Sequence, residues 1–168
     1  YNTSNFDFII QDNNYTMYTY NLTGGNLPSN YNTEAKDYVT PIKRQWGGGN
    51  CWAFATIATL ESCILKATGA PADSIDLSEE NMKNIASKYS SYGWAMDTNV
   101  GGYDKMAMGY LTAWLGPVNE SLDEYNPYSV LSPLLNANNH IQNIIFLTRN
   151  SYTDNNAIKK AIMDYGAV

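Results

Sequence analysis

Histidine, cysteine and charge are scarce in this chain. Its 168 residues include one His and two Cys, and only 15% are charged. Ten Lys and Arg stand against sixteen Asp and Glu, for a net charge of −6. The basic residues pair only at Lys43-Arg44 and Lys159-Lys160. Phosphate binding needs clustered cations, so a nucleic-acid partner is excluded, and attraction to an anionic membrane surface with it. No apolar run approaches the ~18 residues that a membrane-spanning helix requires. These residues do not open on Met, and no signal peptide is expected among them. The chain opens at Tyr1 and closes on Ala167-Val168, which reads as the start of a strand, so both ends are expected to be cut. No metal and no cofactor is expected.

The two cysteines, Cys51 and Cys63, are twelve residues apart. One helix carrying both would separate them by about 18 Å, at about 1.5 Å rise per residue. A disulfide needs Cα atoms within about 7 Å, so two free thiols are expected. Cysteine usage therefore gives no evidence for an oxidising compartment.

What is present is a 44% hydrophobic chain with 14 Tyr and many Asn. That length and composition fit one globular domain with a core of its own. An aromatic and amide surface suits sugar contact and extracellular life; a compositional bias explains it equally well. Residues 1–26 alternate at Phe6, Phe8 and Ile10 and again at Tyr18 and Tyr20, predicting one or two short strands before a Thr23-Gly24-Gly25-Asn26 turn. Asn2, Asn14, Asn21 and Asn119 begin Asn-x-Ser/Thr triplets, a pattern that chance produces in so Asn-rich a chain.

Residues 27–50 are irregular. A helix is expected from Cys51 to about Ala67, with Ala53, Phe54, Ile57, Leu60, Ile64 and Leu65 on one arc and Gly69 and Pro71 as the stop. Glu61 falls inside that apolar arc, and a buried carboxylate must find donors or stay protonated. Ser78 should cap a second helix that carries Glu79 and Glu80 in its first turn and runs to about Tyr89. A third helix is expected over 104–115, a strand over 143–147, and a last helix over about 155–165 capped by Asp154. Helices followed by strand signals give an α+β class.

The chemistry concentrates at Gly47-Gly48-Gly49-Asn50-Cys51-Trp52. A thiol at the first turn of a helix meets unpaired N–H groups and the positive end of the helix dipole, and both favour thiolate over thiol. Glycines ahead of it let a substrate backbone approach closely. Gln45 is the nearby side-chain amide. The alternative is a small buried core residue, which is how Cys63, in mid-helix, is read.

Thr40-Pro41-Ile42-Lys43-Arg44-Gln45 followed by Gly49-Asn50-Cys51-Trp52-Ala53-Phe54-Ala55 resembles the nucleophile segment of papain-like cysteine peptidases. Leu27-Pro28-Ser29-Asn30-Tyr31 is similar to the start of the mature family enzyme. Leu77-Ser78-Glu79-Glu80, Gly101-Gly102-Tyr103, Tyr125-Asn126-Pro127-Tyr128 and Ala161 to Val168 resemble later family stretches. The resemblance covers about 27–168 and implies a papain-like fold, here mainly its helical left-hand half with the central helix starting at Cys51, plus the first strands of the β half. It implies that Cys51 is the nucleophile, forming a thioester with the acyl part of a peptide. Gln45 and the Cys51 N–H would form the oxyanion hole. Gly49, Asn50, Gly101 and Gly102 would bind an extended peptide or protein substrate, and Tyr103 would line a side-chain pocket. Glu61 and Glu79 match acidic residues that the family keeps inside its helical half. Residues 1–26 would be a propeptide tail or a linker.

The departures are specific. Gly48 stands where the family has a cysteine, and the cysteine just before Gly-Gly is missing. Asn50 replaces Ser, and Lys105 replaces an aromatic. These changes resemble divergent prokaryotic cell-surface peptidases and point to a secreted or cell-surface location. The base is the larger departure. His140 lies 140 − 51 = 89 residues after Cys51, whereas the family spacing is about 130–150. It is read as a solvated loop residue. The chain is then expected to stop short of the catalytic His and Asn, which a second chain or a longer gene product would supply. Two other readings stand: a peptidase-like binding module without turnover, and a different thiol acyl-transfer enzyme acting on wall peptides.

Overall fold

The computed structural model describes residues 27–137, 139–147 and 151–168. The strands expected in 1–26, the turn at 23–26 and the Asn2, Asn14 and Asn21 triplets lie outside the described residues. Those described hold four helices: α1 (Cys51–Thr68), α2 (Glu79–Ile85), α3 (Asp104–Thr112) and α4 (Asn156–Tyr165). Two short 3-10 turns, Glu34–Lys36 and Glu120–Leu122, lie in the connections. α1 is central and packs against each of the other three. No described helix is long and apolar enough to cross a membrane.

The arc on α1 forms as its spacing predicts. Ala53, Ile57 and Leu65 are fully buried, and Ala53 and Ile57 meet Leu77, Met82, Ile85, Ala107, Tyr110 and Leu111 in the core, with Trp52, Leu60 and Ile64 packed against its edge. Gly69 ends the helix in left-handed backbone (φ 67°), its N–H donating to the Leu65 carbonyl at 2.8 Å. Ser78 caps α2 as expected, its Oγ accepting from the Asn81 N–H at 3.0 Å.

Three expected boundaries move. α2 stops at Ile85 rather than Tyr89, because the chain turns to pair elsewhere: the Lys88 N–H donates to the Met96 carbonyl and the Trp94 N–H to that of Ala86. α3 stops at Thr112 rather than Leu115, since Trp114 adopts φ 59°, outside helical backbone. The residue flanking α4 is Asn155, not Asp154, and its side chain makes no capping bond. The strand expected over 143–147 is not formed. No neighbouring strand is paired with it among the described residues, whose only bridges are Gly49 with Val100 and Leu77 with Asn119. A lone extended segment has no ladder to satisfy its backbone groups.

Glu61 is buried, and it finds its donors. Thr40 Oγ1 donates to Glu61 Oε2 at 2.6 Å, while Lys43 Nζ at 2.9 Å and the Leu77 N–H at 2.8 Å donate to Oε1. Lys43 also pairs with Asp76 at 2.8 Å and Glu79 at 3.0 Å and donates to the Leu77 carbonyl. One ammonium thus fastens the segment 40–43, which leads to Gln45, onto α1 and the start of α2. Burial pulls the Lys43 ammonium down, but Asp76, Glu61 and Glu79 outweigh it and hold it above its ordinary value.

Glu79 is held differently. Its Oε2 has no hydrogen-bond partner among the described residues. Burial pushes its carboxyl from 4.5 up to about 7, against the pull of Lys43 and with a further push from Glu120. Between these values the folded state keeps a proton that the unfolded chain releases, so stability falls as pH rises through that window. The expected contribution is about 3 kcal/mol, at about 1.4 kcal/mol per pH unit. Unfolding free energies of the wild type and Glu79→Gln, followed from pH 4.5 to 7, should show the variant lacking that part of the slope. Parallel pH profiles would contradict the assignment.

α2 is buried along its whole length, although Glu79, Glu80, Asn81, Lys83 and Asn84 are polar. Lys83 pairs with Glu80 at 2.8 Å and donates to the Asn126 and Ser129 carbonyls. Asn81 donates to Asp123 Oδ2 and the Pro133 carbonyl and accepts from the Tyr110 hydroxyl at 2.7 Å. These bonds hold the irregular segment 123–133 against the helices and so deliver Tyr125 to the candidate site.

Candidate active site

Cys51 is the first residue of α1 and is exposed. The first N–H groups of a helix have no intrahelical acceptor, so they converge near this thiol. Ahead of it the chain must turn sharply. Trp46 takes left-handed backbone at φ 59°, and the Arg44 guanidinium lies 4.0 Å from the centre of its ring. The glycines then allow a contact that no side chain would permit. A Cβ on Gly49 would lie 2.5 Å from the Gly101 N, and one on Gly48 would lie 2.5 Å from Asn99 Oδ1. The Gly49 N–H donates to the Asn99 carbonyl at 3.0 Å, and Gly49 and Val100 form a parallel bridge.

The second glycine pair follows at once. Gly101 is at φ 101°, a conformation glycine adopts without strain. Gly102 lies on the Trp52 indole, where an added Cβ would be 2.4 Å from Nε1. The structure therefore brings Cys51, Gly49, Gly101 and Gly102 into one neighbourhood, although 50 positions separate the segments. Tyr103 follows, exposed. The Gln45 carboxamide is half-buried and donates to the Gly48 carbonyl. A primary amide carries two N–H donors, so one remains for another acceptor.

Asn50 departs from its expected role. It is fully buried, and its Nδ2 donates to Asn99 Oδ1 and, at 2.9 Å, to the Tyr125 hydroxyl. The side chain points into the protein, so a substrate would meet the backbone here and not the amide. Asn99 and Tyr125 are neighbours of the candidate site that sequence spacing did not reveal: Tyr125 lies 80 positions from Gln45, whose carbonyl accepts its hydroxyl proton at 2.9 Å.

The other thiol sits apart from this arrangement. Cys63 is half-buried in α1, with its Sγ 3.6 Å from the Ala167 carbonyl. His140 is exposed on a loop, its ring tilted against the Trp114 indole at 4.5 Å.

The sequence model of the papain family cysteine proteases matches residues 27–168. The chain belongs to the papain family of cysteine proteases. Relatives in the family include the oryzain gamma chain of Oryza sativa subsp. japonica, 32% identical over 85 residues, covering 51% of this chain and 21% of that protein. Peptidase 1 of Dermatophagoides farinae is 38% identical over 68 residues, covering 40% and 20%. Among solved structures, the cysteine protease and lectin-like domains of Cwp84, a surface layer associated protein of Clostridium difficile, superpose with a TM-score of 0.68. That match is 29% identical and covers 81% of this chain and 30% of that one. The structure describing antibody cross reactivity between mite allergens Blo t 1 and Der p 1 gives 0.54, at 30% identity over 64% and 34%. The chain thus spans about a fifth of the curated relatives and about a third of the solved chains. What it carries is the helical half of the papain-like fold, with α1 as the central helix.

Proposed function

We propose that this chain is the nucleophile-bearing part of a secreted or cell-surface cysteine endopeptidase. The observation that carries the reading is the exposed Cys51 at the head of α1, beside Gly102, which is seated on the Trp52 indole. The surface layer association of the Clostridium difficile neighbour supports the location.

In the proposed reaction the Cys51 sulfur attacks a peptide carbonyl carbon, and the π pair moves onto oxygen. The second Gln45 N–H and the Cys51 N–H would stabilise that oxyanion. The C–N bond then breaks, the amine takes a proton from an imidazole, and a thioester remains. Water attacks the thioester, the C–S bond breaks, and the thiol is restored. Gly101 and Gly102 offer backbone groups to an extended peptide, and Tyr103 flanks a side-chain pocket. The imidazole and its orienting Asn come from outside these residues, in the same gene product or a second chain. Residues 1–26 lead into the domain as a propeptide tail or a linker.

A peptidyl epoxide tests the assignment. In the full-length enzyme it should label Cys51 and spare Cys63, with loss of peptide hydrolysis in proportion to labelling. Labelling of Cys63 in its place would reverse the assignment, and full labelling of Cys51 with no activity to lose would favour a binding module.

A further inference from the structure

Between Gln45 and Cys51 the segment holds itself by one side-chain bond, the Gln45 carboxamide donating to the Gly48 carbonyl. It runs through three consecutive glycines, and a Cβ on Gly47 would meet nothing within 4 Å. Glycine backbone is the most costly to order. Yet the proposed oxyanion site needs the Gln45 carboxamide and the Cys51 N–H at a fixed separation, and neither lies on the same regular element.

The remaining restraint comes from elsewhere in the fold. The Tyr125 hydroxyl donates to the Gln45 carbonyl and accepts from Asn50 Nδ2, each at 2.9 Å. It therefore connects the backbone of the amide-bearing residue to the residue just before the nucleophile. Asn50 Nδ2 also donates to Asn99 Oδ1, and Asn99 Nδ2 donates to the Pro127 carbonyl at 2.7 Å. The Asn99 backbone receives the Gly49 N–H. The Tyr125 ring is fixed in turn by an edge-on contact with Phe54 of α1, with ring centres 4.9 Å apart, and by Lys83 at 5.4 Å. The phenol is protonated at neutral pH in any case, and burial pushes it further above its ordinary value.

The structure assigns Asn50, Asn99 and Tyr125 the role of positioning residues: a hydrogen-bonded clasp that sets the oxyanion donor Gln45 against Cys51 and ties both to the substrate-binding glycines. This rests on the peptidase reading above and adds to it which residues hold the oxyanion site in register. None of the three would touch the reacting atoms.

The variants are Tyr125→Phe and Asn99→Gly in the full-length enzyme. The first removes only the hydroxyl and keeps the contact with Phe54. The second suits the left-handed backbone of Asn99 (φ 65°) and keeps its backbone bond to Gly49. Three quantities are compared: kcat per thiol titrated with epoxide, the affinity of a peptide aldehyde, and the rate of Cys51 alkylation by iodoacetamide. The aldehyde adds the Cys51 sulfur to its carbonyl carbon and places its oxygen, which takes the proton, at the oxyanion site. Iodoacetamide needs only the sulfur. Each variant should lose about 10- to 100-fold in kcat and in aldehyde affinity, while alkylation changes by less than about twofold. Unchanged kcat per thiol and unchanged aldehyde affinity overturn the inference, even if Tm falls, because the residues are then scaffold alone. A proportional fall in alkylation overturns it too, by placing the effect on the thiol. A wild-type enzyme that neither cleaves peptides nor binds the aldehyde removes the peptidase reading itself.

Discussion

Lys43→Met is expected to destabilise the protein by about 3–5 kcal/mol, the usual cost of removing one partner from a buried ion pair. Lys43 is the only cation among the described residues that pairs with Glu61 and Glu79, whose side chains are 1% and 2% exposed. Methionine fills similar volume but leaves both carboxylates without a counter-charge. Thr40 and the Leu77 N–H would remain on Glu61; Glu79, with one oxygen already unpartnered, would keep less. The measurement is the midpoint of denaturant unfolding. Lys160→Ala serves as the control, because both partners of its pair with Asp164 reach solvent, with side chains 38% and 32% exposed, and surface pairs contribute about 0–1 kcal/mol. Equal effects at the two lysines would mean that the cluster does not anchor the segment before Gln45.

In the full-length enzyme, Cys51→Ala is expected to lower peptide turnover by on the order of 10⁴-fold or more, since the proposed mechanism has no second nucleophile for acyl transfer. Cys51 is exposed, so its loss should change stability by less than about 0.5 kcal/mol. Cys63→Ala should behave in the opposite way. It vacates a half-buried site with a contact to the Ala167 carbonyl, at a stability cost of about 1 kcal/mol, and should leave turnover unchanged. Steady-state kinetics paired with thermal melts of both variants resolves the two. Retained turnover in Cys51→Ala removes the proposed mechanism.

How far the sequence reaches is clear from particular residues. Gly69 and Ser78 speak for themselves, because helix stops and caps are local and their physics acts within one turn. Glu61 is legible as an anomaly: a carboxylate in an apolar arc implies donors. Which donors could not be read, since Thr40 and Lys43 arrive from a different segment. The apolar run 143–147 misleads for the converse reason. Its composition favours a strand, but a strand exists only with a partner, and none is paired with it among the described residues. Asn50 shows the same limit within the site. Its position beside the nucleophile suggests contact with substrate, whereas Asn99 and Tyr125 draw its amide inward. The proposed nucleophile lies in a compact motif visible in the sequence; the framework that holds that motif is assembled from residues 28 to 80 positions apart.

Helix α2 has a consequence for descent. All seven of its residues are enclosed, and five of them bear amides or charges matched to particular partners. A single replacement there strands whatever it was matched to, so neutral drift has almost no one-step path through positions 79–84. Divergent lineages should change this stretch in coordinated pairs, such as Glu80 together with Lys83, or leave it alone while the surrounding loops vary freely.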